Sequence, residues 1–92
     1  MIADEQNWCR GHIAQDVSGV AVSPTLNSAV KRCNLGALIS AAYQLTHDFD
    51  AAHELGHSAL RPRYGPTTLT HVNDERGHAA VLKLFDEVIA AG

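Results

Sequence analysis

His53-Glu54-Leu55-Gly56-His57 is the one segment whose residue types and spacing could do chemistry. Residues four apart share a helix face, so both imidazoles could reach one Zn²⁺, with Glu54 beside them to take a proton from a metal-bound water. That chemistry is hydrolysis, with His53 and His57 as metal ligands and Glu54 as general base. A catalytic zinc needs a third protein ligand. His71, Asp74, Glu75 and His78 offer donors, and they reach the pair only if the last helix folds back onto the one that carries it. The plainer reading places two imidazoles on a partly exposed helix face, with Glu54 solvated beside them. It is preferred.

The elements that would position these residues are readable in outline. Asp4 and Glu5 suit the start of a short helix from Ala3 to about Gly11. Between His12 and Ser23, Ile13, Val20 and Val22 flank the turn-like Asp16-Val17-Ser18-Gly19, which predicts a small hairpin or extended loop. Ser23-Pro24 is a helix-start signal, and Val30, Cys33, Ala37, Leu38, Ala41 and Leu45 then form one apolar stripe of a central helix. Gly36 costs that helix about 1 kcal/mol relative to Ala, which close helix packing would offset. Asp48 and Asp50 can cap a third helix, Ala51 to about Leu60, which Arg61-Pro62 ends. Arg63 to Pro66 reads as loop, and the β-branched Thr67 to Val72 as a short extended connection. Asn73 is placed to cap a last helix with Asp74 and Glu75 in its first turn and Val81, Leu82, Phe85, Val88 and Ile89 on its apolar face. The expected fold is therefore mainly α, a single domain over residues 1–92 with four helices and a short hairpin or extended element after the first.

Other chemistry fares less well. Glu54-x-x-His57 and Glu75-x-x-His78 share the i, i+3 spacing of di-iron bundle ligands, but no Asp or Glu stands between Ser23 and Thr46 to complete the set. Cys33 falls on the apolar stripe and Cys9 follows Trp8, so both read as packed thiols; together they allow at most one internal disulfide. His12, His47 and His71 have no partner at diagnostic spacing.

Composition narrows the function classes. At 46% hydrophobic residues the chain can build a core, and 92 residues suffice for one. A net charge of −3 supplies no basic surface, so no nucleic-acid partner is expected. Asp4, Glu5, Arg10 and Asp16 break up any apolar leader, and no uncharged run is long enough to span a bilayer; the expectation is a cytoplasmic protein without membrane association.

Two resemblances add to this. Ala-His-Glu-Leu-Gly-His at 52–57 resembles the active-site helix of zinc peptidases, which would make His53 and His57 ligands and Glu54 the base. The chain departs from the extended histidine pattern of one such group, having Leu60 in place of its glycine and Arg63 in place of its third histidine. From Trp8 to Ile89 the chain is also similar to a family of small bacterial and phage proteins of unknown function, DUF6197. That likeness rests on Trp8, Ala14-x-Asp16-x-x-Gly19-x-x-Val22, Ala29-x-x-x-Cys33-x-x-Gly36-Ala37-Leu38, Asn73-Asp74 and Val81-Leu82. Arg32 and Val72 stand where such relatives tend to have tryptophan. The resemblance implies structural roles: core packing for Trp8, Cys33, Leu38, Val81 and Leu82, a turn at Gly19, helix contact at Gly36 and a cap at Asn73. The functional expectation is a non-catalytic interaction or accessory protein with a protein partner or a second copy of itself, and no cofactor. The alternatives are a zinc-dependent hydrolase using His53, His57 and Glu54, or a structural zinc site on the same histidines.

Overall fold

Cys33 rather than Ser23 begins the central helix. In the computed structural model, which describes residues 2–61 and 64–91, α1 runs Asn34–Thr46, and the Cys33 Sγ accepts the Gly36 amide at 3.3 Å as its N-cap. The Ser23 hydroxyl is occupied elsewhere: it accepts the Thr25 amide at 3.3 Å and bonds the Thr25 hydroxyl at 2.9 Å, closing a turn. The chain then runs extended through β2 (Lys31–Arg32), antiparallel to β1 (Ala14–Gln15), with Ala14 opposite Arg32. The late start moves the buried face. Leu35, Ile39 and Ala42 pack inward, whereas Val30 and Leu45, expected on the stripe, are exposed.

The first expected helix shrinks to a single 3-10 turn, Glu5–Asn7, capped by Asp4 through the Gln6 amide. Tertiary pairing overrides it: Trp8 bridges Arg32 in parallel, and the Cys9 amide donates to the Arg32 carbonyl at 3.1 Å. The Asp16–Gly19 turn forms as expected. Asp16 Oδ1 accepts the amides of Ser18 and Val20, and Gly19 adopts φ +83°.

Helix α2 (Phe49–Ser58) starts where Asp48 accepts the Ala51 amide at 2.9 Å, and it lies back against α1 as a helical hairpin. Gly56 makes that contact: a Cβ there would stand 2.9 Å from Ile39 Cα. Gly36 admits a different neighbour from the helix anticipated, the Ile13 backbone carbonyl. Pro62 and Arg63, which carry the expected helix stop and the start of the following loop, lie outside the described residues.

The segment expected to be extended is helical. Gly65 caps α3 (Pro66–His71), with proline in its first turn, and Leu69 is fully buried. A π-helical turn, Val72–Arg76, follows, and Gly77 at φ +89° leads into α4 (His78–Ala91). Asn73 therefore sits inside the π turn rather than capping α4, and Asp74 and Glu75 precede the last helix instead of opening it. Ile2, Ala37, Leu69, Val72, Val81 and Leu84 form the main core; Cys33, Leu35, Ile39, Ala42 and Ala52 form a second cluster beneath α1. Among the described residues no helix is long and apolar enough to cross a membrane.

Candidate functional site

The paired histidines do sit on one helix, α2, with Glu54 exposed between them. His53 Nδ1 donates to the Phe49 carbonyl at 3.0 Å, and His57 Nδ1 donates to the His53 carbonyl at 2.6 Å. Carbonyls only accept, so each Nδ1 carries the proton and each Nε2 the free lone pair. Both rings are fastened in the same way, and they stack at 28° with centroids 6.3 Å apart. The second ring thus repeats the first one helical turn later rather than converging with it. Two nitrogens on one zinc at ~2.0–2.1 Å lie no more than about 4.2 Å apart, whereas these ring centroids stand 6.3 Å apart.

The proposed third ligands lie elsewhere. His78 Nε2 donates to the Ile2 carbonyl at 2.7 Å, its Nδ1 lies 3.8 Å from Glu5, and its ring packs on Trp8. Asp74 Oδ1 accepts the Gly11 amide at 2.9 Å, and His71 and Glu75 are exposed. Among the described residues no three His, Cys, Asp or Glu side chains gather as a metal-binding group.

What the fold does gather is Trp8, Cys9, Cys33, Asn34, Asn73 and Asp74. The fully buried Asn73 accepts at Oδ1 from the Trp8 indole at 2.6 Å and from the Asn34 amide at 2.9 Å. Its Nδ2 donates to the Cys9 carbonyl at 2.9 Å and to Asp74 Oδ1 at 3.0 Å. Asn34, equally buried, donates from Nδ2 to the Leu69 carbonyl at 2.7 Å, and its Oδ1 accepts the Leu35 amide. One π turn, one helix start and the N-terminal segment are thereby stitched at a single point. Arg10 covers the outer Trp8 face, 5.5 Å from the ring centre.

The two thiols beside this centre are held protonated. Burial, with the neighbouring Cys33 second, pushes Cys9 up to about 11, and burial raises Cys33 as well. Cys9 Sγ donates to the His12 carbonyl at 3.4 Å. Protonated, buried thiols pack and do not attack.

A further feature escaped the sequence reading. Leu38, Leu60, Phe85, Val88 and Ile89 line a groove of about 220 Å³ with apolar side chains alone, and Ile89 on its rim is 77% exposed. The apolar run of α4 signalled a buried face; which of its residues remain outside depends on where α1 ends its cover, and that is not local information.

This architecture is a small helical domain organised around a buried asparagine pair, and most of the residues at that centre carry the resemblance noted above. The chain belongs to the family of unknown function DUF6197, whose model matches residues 1–91. No curated protein and no solved structure matches it.

Proposed function

We propose that this protein is a non-catalytic interaction module that pairs with a second copy of itself through the groove beside α4. The observation that carries this is the groove itself, apolar throughout its lining, with the exposed Ile89 at its edge. A twofold interface must be self-complementary, with knob and hole on one patch. Here both are present: Ile89 of each copy can enter the space between Leu38, Leu60, Phe85 and Val88 of the other. The absence of polar lining favours an occupant that brings only hydrocarbon, which Ile89 does, and burying it removes apolar surface from water at about 25 cal/mol per Å².

The protonated thiols and the carbonyl-tethered imidazoles support the non-catalytic part of the reading. The zinc-hydrolase alternative would require the two rings to converge on one ion and a third ligand to be recruited. Sedimentation velocity at about 100 μM protein tests the proposal. The wild type runs at twice the monomer mass and Ile89→Asp runs as a folded monomer. A wild type that stays monomeric at that concentration refutes it.

A further inference from the structure

Trp8 and Arg32 face each other across a parallel bridge, and the Cys9 amide donates to the Arg32 carbonyl at 3.1 Å. One residue further along both chains stand Cys9 and Cys33, the latter still in extended backbone before α1 begins. Residues in register on parallel neighbours point to the same face, and such strands run roughly 4.7–4.9 Å apart. That spacing falls inside the ~4.4–6.8 Å that a disulfide spans between Cα atoms. Both side chains are buried and both thiols are free. After burial, Cys33 is the next cause that holds the Cys9 thiol up, so each sulfur lies within electrostatic reach of the other.

We propose that Cys9 and Cys33 join as a reversible disulfide in an oxidised form of this protein, locking the N-terminal segment to the start of α1. The co-reactant is a small-molecule disulfide such as glutathione disulfide. While the segment is docked both thiols are protonated and covered, so exchange begins when the segment lifts from Arg32, a local opening that releases the bridge and the Asn73 bonds to Trp8 and Cys9. The Cys9 thiolate then attacks one sulfur of glutathione disulfide, and one glutathione thiolate leaves. Redocking brings Cys33 alongside. Burial disfavours its thiolate, and the Gly36 amide that donates to its Sγ at 3.3 Å works the other way. That thiolate attacks the Cys9 sulfur of the mixed disulfide and expels the second glutathione. Two protein thiols are oxidised, one glutathione disulfide is reduced to two thiols, and the two cysteine protons end on the glutathiones. The Gly36 amide keeps its acceptor, and the bond gives up the weak Cys9 donation to the His12 carbonyl at 3.4 Å. The closed loop contains both β1 and β2, so the unfolded chain loses freedom that the folded one has already lost.

The test incubates the full chain with glutathione disulfide, unfolds it in urea with an alkylating reagent, and reads intact mass and non-reduced peptide maps. The expected product is a single chain lighter by about 2 Da, with neither cysteine alkylated and the Cys9 and Cys33 peptides joined; dithiothreitol restores both thiols. Urea below the unfolding transition should speed its formation. The oxidised form should unfold at a urea midpoint about 1–2 M higher than the reduced form. Cys9→Ser and Cys33→Ser should each abolish the product, and the wild-type map decides the matter should either variant fail to fold. A persistent glutathione adduct, a bond between two copies, or two alkylated thiols after overnight incubation overturns the site. An internal bond that leaves the urea midpoint unchanged overturns the lock.

Discussion

Replacing Asn73 by Ala removes one side chain and strands several others. The Trp8 indole N–H, the Asn34 amide and the Cys9 carbonyl all lose their partner. A buried polar group left unpaired costs about 1–3 kcal/mol. Trp8 is half-buried and water can replace part of its bond, so it belongs at the low end, whereas Asn34 is fully buried and belongs higher. The sum is about 3–6 kcal/mol, against a total stability of roughly 5–14 kcal/mol for a domain of 92 residues. Asn73→Ala should therefore fold marginally or not at all. Trp8 is the only tryptophan, so its fluorescence reports on the damaged point directly during urea unfolding, with far-UV circular dichroism as the global probe. Combining the change with Trp8→Phe should recover at least about 0.5 kcal/mol of coupling, because the two share a bond. An Asn73→Ala protein less than about 1 kcal/mol below wild type would show that the asparagine centre does not hold the fold together.

Other outcomes follow from the same structure. Gly56→Ala places a methyl 2.5 Å from Ile39 Cγ1 and 2.9 Å from its Cα, so it should destabilise the α1–α2 hairpin by about 2 kcal/mol; an unchanged urea midpoint would contradict that packing. The Cys9 thiol is raised from 9.0 to about 11, so its contribution to stability is whole below pH 9 and is lost as pH rises toward 11. The unfolding midpoint should fall across that window in wild type and less in Cys9→Ala. Protein purified without an affinity tag should carry less than about 0.1 equivalent of zinc and keep its unfolding temperature in EDTA. Near-stoichiometric zinc lost in His53→Ala would instead support a metal site, and Glu54→Gln that abolished hydrolysis with metal retained would make it an enzyme.

Local signals read well where they acted alone. Asp48 caps α2 and Asp16-Val17-Ser18-Gly19 turns the chain because each is satisfied by atoms within four residues. The Ser23-Pro24 start misled since Ser23 closes its own turn and Arg32 is drawn into pairing with Trp8, 24 positions away. Asn73 looks like a cap because its type and its acidic neighbours suit one; only the approach of Trp8 and Asn34 turns it inward. Thr67 to Val72 has β-branched residues, yet Gly65-Pro66 sets a helical entry and Leu69 finds the core. The His53 and His57 pair was legible as a pattern and not as a geometry, because rotamers decide whether rings converge.

The stitch between Trp8 and Asn73 spans 65 residues, and this orders how the protein comes into being on the ribosome. The α1–α2 pair can associate soon after Ser58 leaves the exit tunnel, since its contacts are local. The front of the chain must wait with its indole and the Asn34 amide unclaimed until the π turn has been translated. A premature stop between residues 58 and 73 should yield a helical but molten product, and a nascent chain stalled there is the form a chaperone would meet.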